Sequence, residues 1–253
     1  MGSILPPTRS LRTLAEAPKL AISESEDDAE IRAKYRPFLL SPETEEKDWI
    51  SELELDAAIS IAEADLAKTG SRLKVLVLYG SLRKRSYSKL MAFEACRILH
   101  RLGCDVRLFN PSELPIRDSV PDTHRSVQEL RSLSSWSDGH VWITPEQHGN
   151  LTAVFKNQID WIPLATGSIR PTQGKHSSLP MAWKAFEDEG GDGDGTARLL
   201  KSGNRDRVVD CMEEFVKFTV VMRPLFEGFG DRFSERMERR EKAESQGDGV
   251  GKS

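Results

Sequence analysis

The chain has 253 residues, of which 38% are hydrophobic and 30% charged, a composition typical of a soluble protein with one large domain or one domain with appendages. Its net charge of −4 disfavours broad binding to nucleic acids or to anionic membranes, and we expect neither as a partner. No apolar run approaches the roughly 20 residues that span a bilayer, and the N-terminus lacks a signal-peptide pattern. Cys96, Cys104 and Cys211 are too few and too scattered for a disulfide framework or a metal site, which favours a reducing, cytoplasmic setting.

Residues 1–70 are interpreted as an N-terminal extension. Residues 1–43 are rich in Pro, Ser and Glu and show no sustained periodicity, so we expect disorder unless they dock. Residues 44–68 predict one amphipathic helix that ends just before Gly70. The predicted apolar face of this helix comprises Ile50, Leu53, Ala57, Ile61 and Ala64.

Residues 71–223 alternate three predicted strands with helices. The strands are "LKVLVLY" at 73–79, "DVRLFN" at 105–110 and "HVWIT" at 140–144. Asn150 is the expected N-cap of the helix after the third strand. The apolar positions expected to be buried on the intervening helices are Met91, Ala95, Ile98, Leu99 and Leu102, then Val127, Leu130 and Leu133, then Leu151, Val154, Phe155 and Ile162.

This alternation predicts an α/β fold with a parallel sheet wound by right-handed crossovers. It then stops, since residues 163–203 contain no credible strand. A last helix is expected over 205–222, followed by a C-terminal tail at 224–253. Three strands are few for a doubly wound domain, because sheets usually have four to six.

The turn "GSLRKRSYS" at 80–88 joins the first strand to the next helix. In a doubly wound fold such a turn presents backbone N–H groups and the positive end of the helix dipole to the crevice above the strands, which favours an anion. Ser81, Ser86 and Ser88 add hydroxyl donors, and Arg83 or Arg85 supplies a planar fork that matches phosphate oxygens. Because Gly80 is the one glycine here, the turn is neither a dinucleotide fingerprint nor a Walker A loop, and a mononucleotide or flavin phosphate fits better.

The loop "TPEQHGN" at 144–150 follows the third strand directly. If strands one and three are neighbours, this loop faces the first turn across the topological switch point. Its backbone amides could then reach the edge of a flat ring, with Glu146, Gln147 and His148 as polar contacts. A plain turn that ends in a helix cap explains the same residues equally well.

Four segments resemble the ArsH-type NADPH-dependent FMN reductases of arsenical-resistance operons and their fungal relatives. They are "LYGSLRKRSYS", "WSDGHVWITPEQHGNLTAVFKNQIDWIPL", "GSIRPTQGK" and "NRDRVVDCMEEFVKF". The resemblance implies a flavodoxin-like fold that binds FMN, takes hydride from NADPH and is usually a homotetramer. It also implies electron acceptors among oxygen, quinones, azo compounds, metal species and trivalent organoarsenicals.

The resemblance assigns two groups of cofactor-binding residues and no metal ligand. The FMN-phosphate loop comprises Ser81, Arg83, Ser86, Tyr87 and Ser88, and the loop beside the isoalloxazine ring comprises Pro145, Glu146, Gln147, His148 and Gly149. Hydride transfer is the flavin's own chemistry, so no catalytic acid or base is assigned.

The chain departs from the family pattern after Lys175. There the pattern continues with a strand, a long helix and a further strand, about 40 residues in all, which this chain lacks. We therefore expect three of the usual five strands, with the domain shortened near 175–178. Two alternatives to an active reductase follow, namely a non-enzymatic flavin-binding remnant and an interaction partner of a full-length subunit.

Overall fold

A parallel three-stranded sheet forms the centre of the protein. The computed structural model describes residues 20–162, 184–187 and 197–225, together with helical residues 236–237, 239–240 and 242–243. Strand β1 (Lys74–Tyr79) lies between β2 (Asp105–Leu108) and β3 (Gly139–Ile143), and both pairings are parallel. Strands one and three are neighbours, which is the condition for the two loops to face each other, so the loops after β1 and β3 leave the same edge of the sheet.

Helices cover both faces of the sheet. Val75, Val77 and Tyr79 of β1 belong to one buried cluster, whereas Leu76 and Leu78 belong to another. The first cluster is built with α3 (Asp56–Thr69), α4 (Tyr87–Arg101) and α7 (Gly203–Met222), and the second with α5 (Arg125–Trp136) and α6 (Ala153–Trp161). A central strand that is apolar at every position after Lys74 is thus buried on both sides. The predicted α/β flavodoxin-like architecture is confirmed, with three strands in the core.

The described part of the N-terminal extension docks against the β2 side of the sheet. It contains the short helices α1 (Ala29–Tyr35) and α2 (Pro42–Glu46). Arg36 is buried, and its Nε donates to the Val106 carbonyl of β2 at 3.2 Å. Its two terminal nitrogens form ion pairs with Asp27 and Asp105. The edge of β2 is therefore partly covered by residues from the region 1–43, for which the sequence predicts disorder unless it docks.

The predicted helix over 44–68 is wrong in extent and in its buried face. A 3-10 turn at Trp49–Glu52 interrupts it, and α3 begins only at Asp56. Ala57, Ile61 and Ala64 are exposed, while the buried residues of α3 are Ala58, Ile59, Ala62 and Asp65. The break changes the phase of the helix, so spacing counted from Ile50 no longer identifies the inner face. Gly70 does end α3 in the left-handed conformation, with φ of 70°.

The segments 184–187 and 197–200 pack together on α4. Phe186 and Leu199 form an isolated antiparallel bridge, and both are buried against Leu90. Arg198 forms ion pairs with two buried carboxylates, Asp48 and Glu94, and its Nε lies 2.7 Å from Glu94 Oε1. In these two described segments there is one bridge and no extended strand. The "GSIRPTQGK" motif and the shortened region near 175–178 lie outside the described residues.

The final predicted helix is confirmed as α7, which buries Met212, Val216 and Thr219. Its C-terminal end is fixed by Arg223, whose guanidinium lies 2.7 Å from Asp65 Oδ2 on α3. Among the described residues, no helix combines the length and the apolar character needed to cross a bilayer.

Candidate functional site

Gly80 lies at the carboxyl end of β1, where the chain passes closest to the loop after β3. Its N–H donates to the Ile143 carbonyl at 2.9 Å, which extends the pairing of β1 with β3 by one residue. A Cβ atom at this position would lie 2.6 Å from Thr144 Oγ1 and 2.8 Å from Thr152 Oγ1. The close approach of two loops, rather than an unusual φ angle, therefore explains why glycine occupies this position.

Two threonines connect these loops. The Thr152 hydroxyl donates to the Gly80 carbonyl at 2.7 Å and lies 3.4 Å from the Thr144 hydroxyl. Thr152 also caps α6, because its oxygen accepts from the N–H of Phe155 at 3.3 Å. One side chain thus fixes the end of β1 and the start of α6 together. Sequence reasoning missed both threonines, although a threonine just before a helical run is a recognisable cap.

The serines of the first loop build the start of α4. Ser86 is the N-cap and accepts from the N–H of Lys89 at 3.2 Å. Its hydroxyl shares a 3.0 Å hydrogen bond with that of Ser88, and both side chains are buried. Ser81 is half-buried and accepts from the N–H of Arg83 at 3.3 Å. These contacts fix the loop at the positive end of the α4 dipole, a preferred position for an anion.

The cations of the loop differ in exposure. Arg83 and Lys84 are exposed, whereas Arg85 is half-buried, with its guanidinium 5.8 Å from the centre of the Tyr87 ring. The Nε atom of Arg85 is buried and has no hydrogen-bond partner within the described part of the chain. A dianionic phosphate fits such a loop, because guanidinium groups, hydroxyls and a helix N-terminus all favour it.

The second loop folds as a two-residue hairpin. Strands β4 (Glu146–Gln147) and β5 (Asn150–Leu151) pair antiparallel, and His148 and Gly149 form the turn with φ of 53° and 73°. Two successive positive φ angles are typical of a type I′ turn, for which glycine at the second position is well suited. Glu146, Gln147, His148 and Gly149 are exposed, and Pro145 is half-buried.

The predicted N-cap at Asn150 is wrong, because this residue pairs with Gln147 in the hairpin. The cap is Thr152, and α6 begins at Ala153. Leu151, which was expected to be buried, is 41% exposed, whereas Phe155 and Ile162 are buried as expected. Because Asn150 belongs to the hairpin, it does not cap α6.

The carboxyl end of β1 carries two further polar contacts. The Tyr79 hydroxyl donates to Asn110 Oδ1 in the loop after β2 at 3.1 Å, and burial raises the pKa of Tyr79 to about 12. Gln158 of α6 donates to the Tyr79 carbonyl at 3.0 Å. Tyr79 is therefore a protonated structural group at neutral pH, and it ties the loop after β2 to the same edge.

The structure brings the two predicted groups of residues to one edge of the sheet but gives them different settings. The first loop is braced by hydroxyls and by the start of α4, with Arg83 exposed. The second group lies on an exposed hairpin whose base is fixed to Gly80 through Thr144 and Thr152. This arrangement can hold a phosphate at the first loop and present backbone amides to a flat group beside the second.

Comparisons with known proteins identify one family. Residues 73–186 match the family model described as NADPH-dependent FMN reductase. A protein of Rhizobium meliloti (strain 1021) named NADPH-dependent FMN reductase ArsH is 44% identical over 201 residues, which cover 66% of this chain and 80% of that protein. Proteins of the same name from Acidithiobacillus ferrooxidans and Shigella flexneri are 41% and 38% identical, over 68% and 75% of this chain and 84% and 85% of their own lengths.

This chain lacks a number of positions that are present in its relatives. The comparison with the Rhizobium meliloti protein spans 201 positions, whereas 66% of 253 residues is about 167, so about 34 aligned positions have no counterpart in this chain. A difference of this size is comparable with one strand, helix and strand unit. In the part of the chain that the structure describes, the core sheet has three strands.

Proposed function

Because this chain belongs to the ArsH-type family of NADPH-dependent FMN reductases, we propose that it binds FMN at the carboxyl ends of β1 and β3 and oxidises NADPH there. The single observation that supports this site best is the contact of Gly80 with Thr144 and Thr152. These contacts hold the two loops together and leave no room for a side chain between them.

The phosphate of FMN is assigned to the first loop. Ser81 and Arg83 lie toward solvent and are able to donate to phosphate oxygens. Ser86 and Ser88 are buried and hydrogen-bonded to each other, and Ser86 caps α4. In this proposal Ser86 and Ser88 hold the loop and the N-terminus of α4 in place and also offer hydroxyl hydrogens to the phosphate.

The flavin ring is assigned to the hairpin side of the site, next to Pro145, Glu146, Gln147, His148 and Gly149. The bound flavin supplies the hydride chemistry, in which it is reduced by NADPH and reoxidised by an acceptor. The protein orients the ring, excludes water from one side and offers backbone donors to its edge. No residue near the two loops is needed as an acid or base for that step.

The acceptor is proposed to be oxygen, a quinone, an azo compound or an organoarsenical, the classes that the family resemblance implies. An exposed hairpin beside the ring leaves one side of the site accessible to small molecules. In a ping-pong reaction NADPH gives its hydride to the flavin and NADP⁺ leaves before the acceptor enters, so only one such opening is required.

The test is an absorbance spectrum of the purified protein, followed by addition of NADPH without oxygen and then by admission of air. We expect oxidised flavin bands, their loss on anaerobic addition of NADPH, and their return when air is admitted. A protein that neither retains nor binds added FMN would contradict the proposal. Steady-state rates with each acceptor class, measured at one NADPH concentration, then rank the acceptors.

A second candidate is a flavin-binding remnant that does not turn over, or a partner that joins a full-length subunit. The observation that favours it is the outer edge of β3, which pairs with no further strand among the described residues. Trp142 of this strand is 44% exposed and contacts Phe155 edge to face at 5.6 Å. FMN binding without NADPH consumption would support the remnant, and co-purification with a full-length relative would support the partner.

A further inference from the structure

Arg85 has a partly buried side chain whose hydrogen-bonding capacity is incompletely used. It lies in the first loop, between the exposed Arg83 and the N-cap Ser86. Its Nε is shielded from solvent and has no hydrogen-bond partner in the described part of the chain. A buried N–H without an acceptor is unfavourable, and a site that is to receive an anion provides a physical reason for it.

The guanidinium of Arg85 is also held in position. It lies 5.8 Å from the centre of the Tyr87 ring, within the range of a cation–π contact. The Tyr87 ring in turn packs against Phe186, with ring centres 6.1 Å apart and planes inclined by 33°. Phe186 is buried with Leu199. A row of three side chains therefore runs from the apolar cluster on α4 to the phosphate loop.

Binding a phosphate would cost Arg83 more side-chain entropy than it would cost Arg85. Arg83 is exposed, and an ion of opposite charge must immobilise its flexible side chain. Arg85 is already restrained by the ring beside it, so less freedom is lost for each hydrogen bond formed. A restrained planar fork matches two oxygens of one phosphate group.

We infer that Arg85 is a phosphate-binding residue of the flavin site and that Tyr87 is a positioning residue that orients it. This inference rests on the proposed function, since it needs FMN as the ligand. It changes the role expected for Tyr87 from a direct contact to a support, and it adds to the site a cation that the family resemblance did not assign.

The experiment compares FMN with riboflavin, which has the same ring and no phosphate. Dissociation constants are measured by quenching of flavin fluorescence for the wild-type chain, Arg85→Gln and Arg85→Lys. We expect Arg85→Gln to raise the dissociation constant for FMN about 10- to 100-fold and to leave that for riboflavin unchanged. Arg85→Lys retains the charge without the planar fork, so its dissociation constant for FMN should lie between those of the wild type and Arg85→Gln.

Tyr87 is tested with the same two ligands. Tyr87→Phe keeps the ring face and should bind FMN like the wild type, whereas Tyr87→Leu should weaken FMN several-fold and riboflavin hardly at all. Combined with Arg85→Gln, Tyr87→Leu should cause little further loss, because its effect passes through the arginine. The matched control is Arg125→Gln, which removes an exposed guanidinium paired with Glu113 at the surface.

The results separate the two proposals. A wild-type chain that binds neither flavin overturns the proposed function and this inference together. A wild-type chain that binds FMN in preference to riboflavin, with the preference unchanged in Arg85→Gln, overturns the inference alone. Equal weakening of FMN and riboflavin in Arg85→Gln also overturns it, because that pattern indicates a general loss of loop structure.

Discussion

Gly80→Ala is the smallest change that should disturb both halves of the candidate site. The added methyl group would lie 2.6 Å from Thr144 Oγ1, 2.8 Å from Thr152 Oγ1 and 3.0 Å from Phe155 Cβ. The first two separations are shorter than real Cβ contacts and the third is unusually tight, so the surrounding groups must move. The Cβ atom of Phe155 is fixed by the backbone of α6, and its ring is fully buried, so this residue cannot move without opening a core cluster.

The cost follows from two terms. Forcing an extra methyl group into a packed region costs about 1–3 kcal/mol. Displacing Thr152 strains its 2.7 Å hydrogen bond to the Gly80 carbonyl, which adds about 1 kcal/mol. A total of about 2–4 kcal/mol corresponds to a fall in Tm of about 4–15 °C for a chain of this length. Because the loop after Gly80 must shift as well, we expect FMN affinity to fall at least about tenfold.

Thermal unfolding followed by circular dichroism measures the first effect, and a flavin titration measures the second. Gly203→Ala is the matched control, because a Cβ atom there has no neighbour within 4 Å and Gly203 is the first residue of α7. This control should leave Tm unchanged or slightly higher, since alanine favours a helix. If Gly80→Ala keeps both Tm and FMN affinity at wild-type values, the reasoning that the two loops leave no room for a methyl group at this position is refuted.

Arg83→Ala should weaken FMN binding by about 1.5–3 kcal/mol, the contribution of a charge-assisted hydrogen bond, and an unchanged dissociation constant would exclude this residue from the site. Arg198→Leu leaves the buried Asp48 without its ion-pair partner and Glu94 with Arg97 at 3.6 Å, so urea unfolding should show a loss of about 3–5 kcal/mol, and a loss below about 1 kcal/mol would refute the role of these ion pairs. Burial, reinforced by nearby arginines, lowers the pKa of His100 from 6.5 to about 4, so the unfolded state takes up a proton below pH 6.5 that the folded state does not. Unfolding free energy should therefore fall as the pH drops from 6.5 to 4, by up to about 1.4 kcal/mol per pH unit from this residue, and less steeply in His100→Gln; parallel curves for the two proteins would argue against it.

The sequence predicts the central sheet well because local and global signals agree there. Residues 74–79 are apolar at five of six positions, and a strand buried on both faces is the simplest structure that uses all of them. The right-handed connection rule does not by itself fix the strand order, and the adjacency of strands one and three is a feature of the flavodoxin-like order, which the structure has. The two loops of the candidate site follow from that order, since they are the loops after adjacent strands.

The N-terminal region shows where pattern reasoning fails. Spacing of three and four from Ile50 identified Ala57, Ile61 and Ala64 as an inner face, but the break before Asp56 moved them outward. The true inner face includes Asp65, which is buried because Arg223 pairs with it from a distant helix. Such an ion pair joins residues far apart in sequence and leaves no periodic signal.

The site details depend on tertiary contacts in the same way. A loop that reads as a bland turn becomes a hairpin because Gln147 and Asn150 pair, and this pairing moves the helix cap to Thr152. The bracing of Gly80 by two threonines joins positions more than 60 residues apart. Residue types alone identify the loops, whereas the contacts that fix their geometry require the folded chain.

The docked N-terminal segment has a consequence for aggregation. A strand at the edge of a sheet presents unpaired backbone groups that can recruit another chain, and proteins commonly protect such edges. Here Arg36 occupies the Val106 carbonyl and neutralises Asp105 on the outer side of β2. Residues that precede the flavodoxin-like domain in sequence thus protect the edge of β2, and shortened versions of the protein that start after them would expose a surface prone to strand-to-strand self-association.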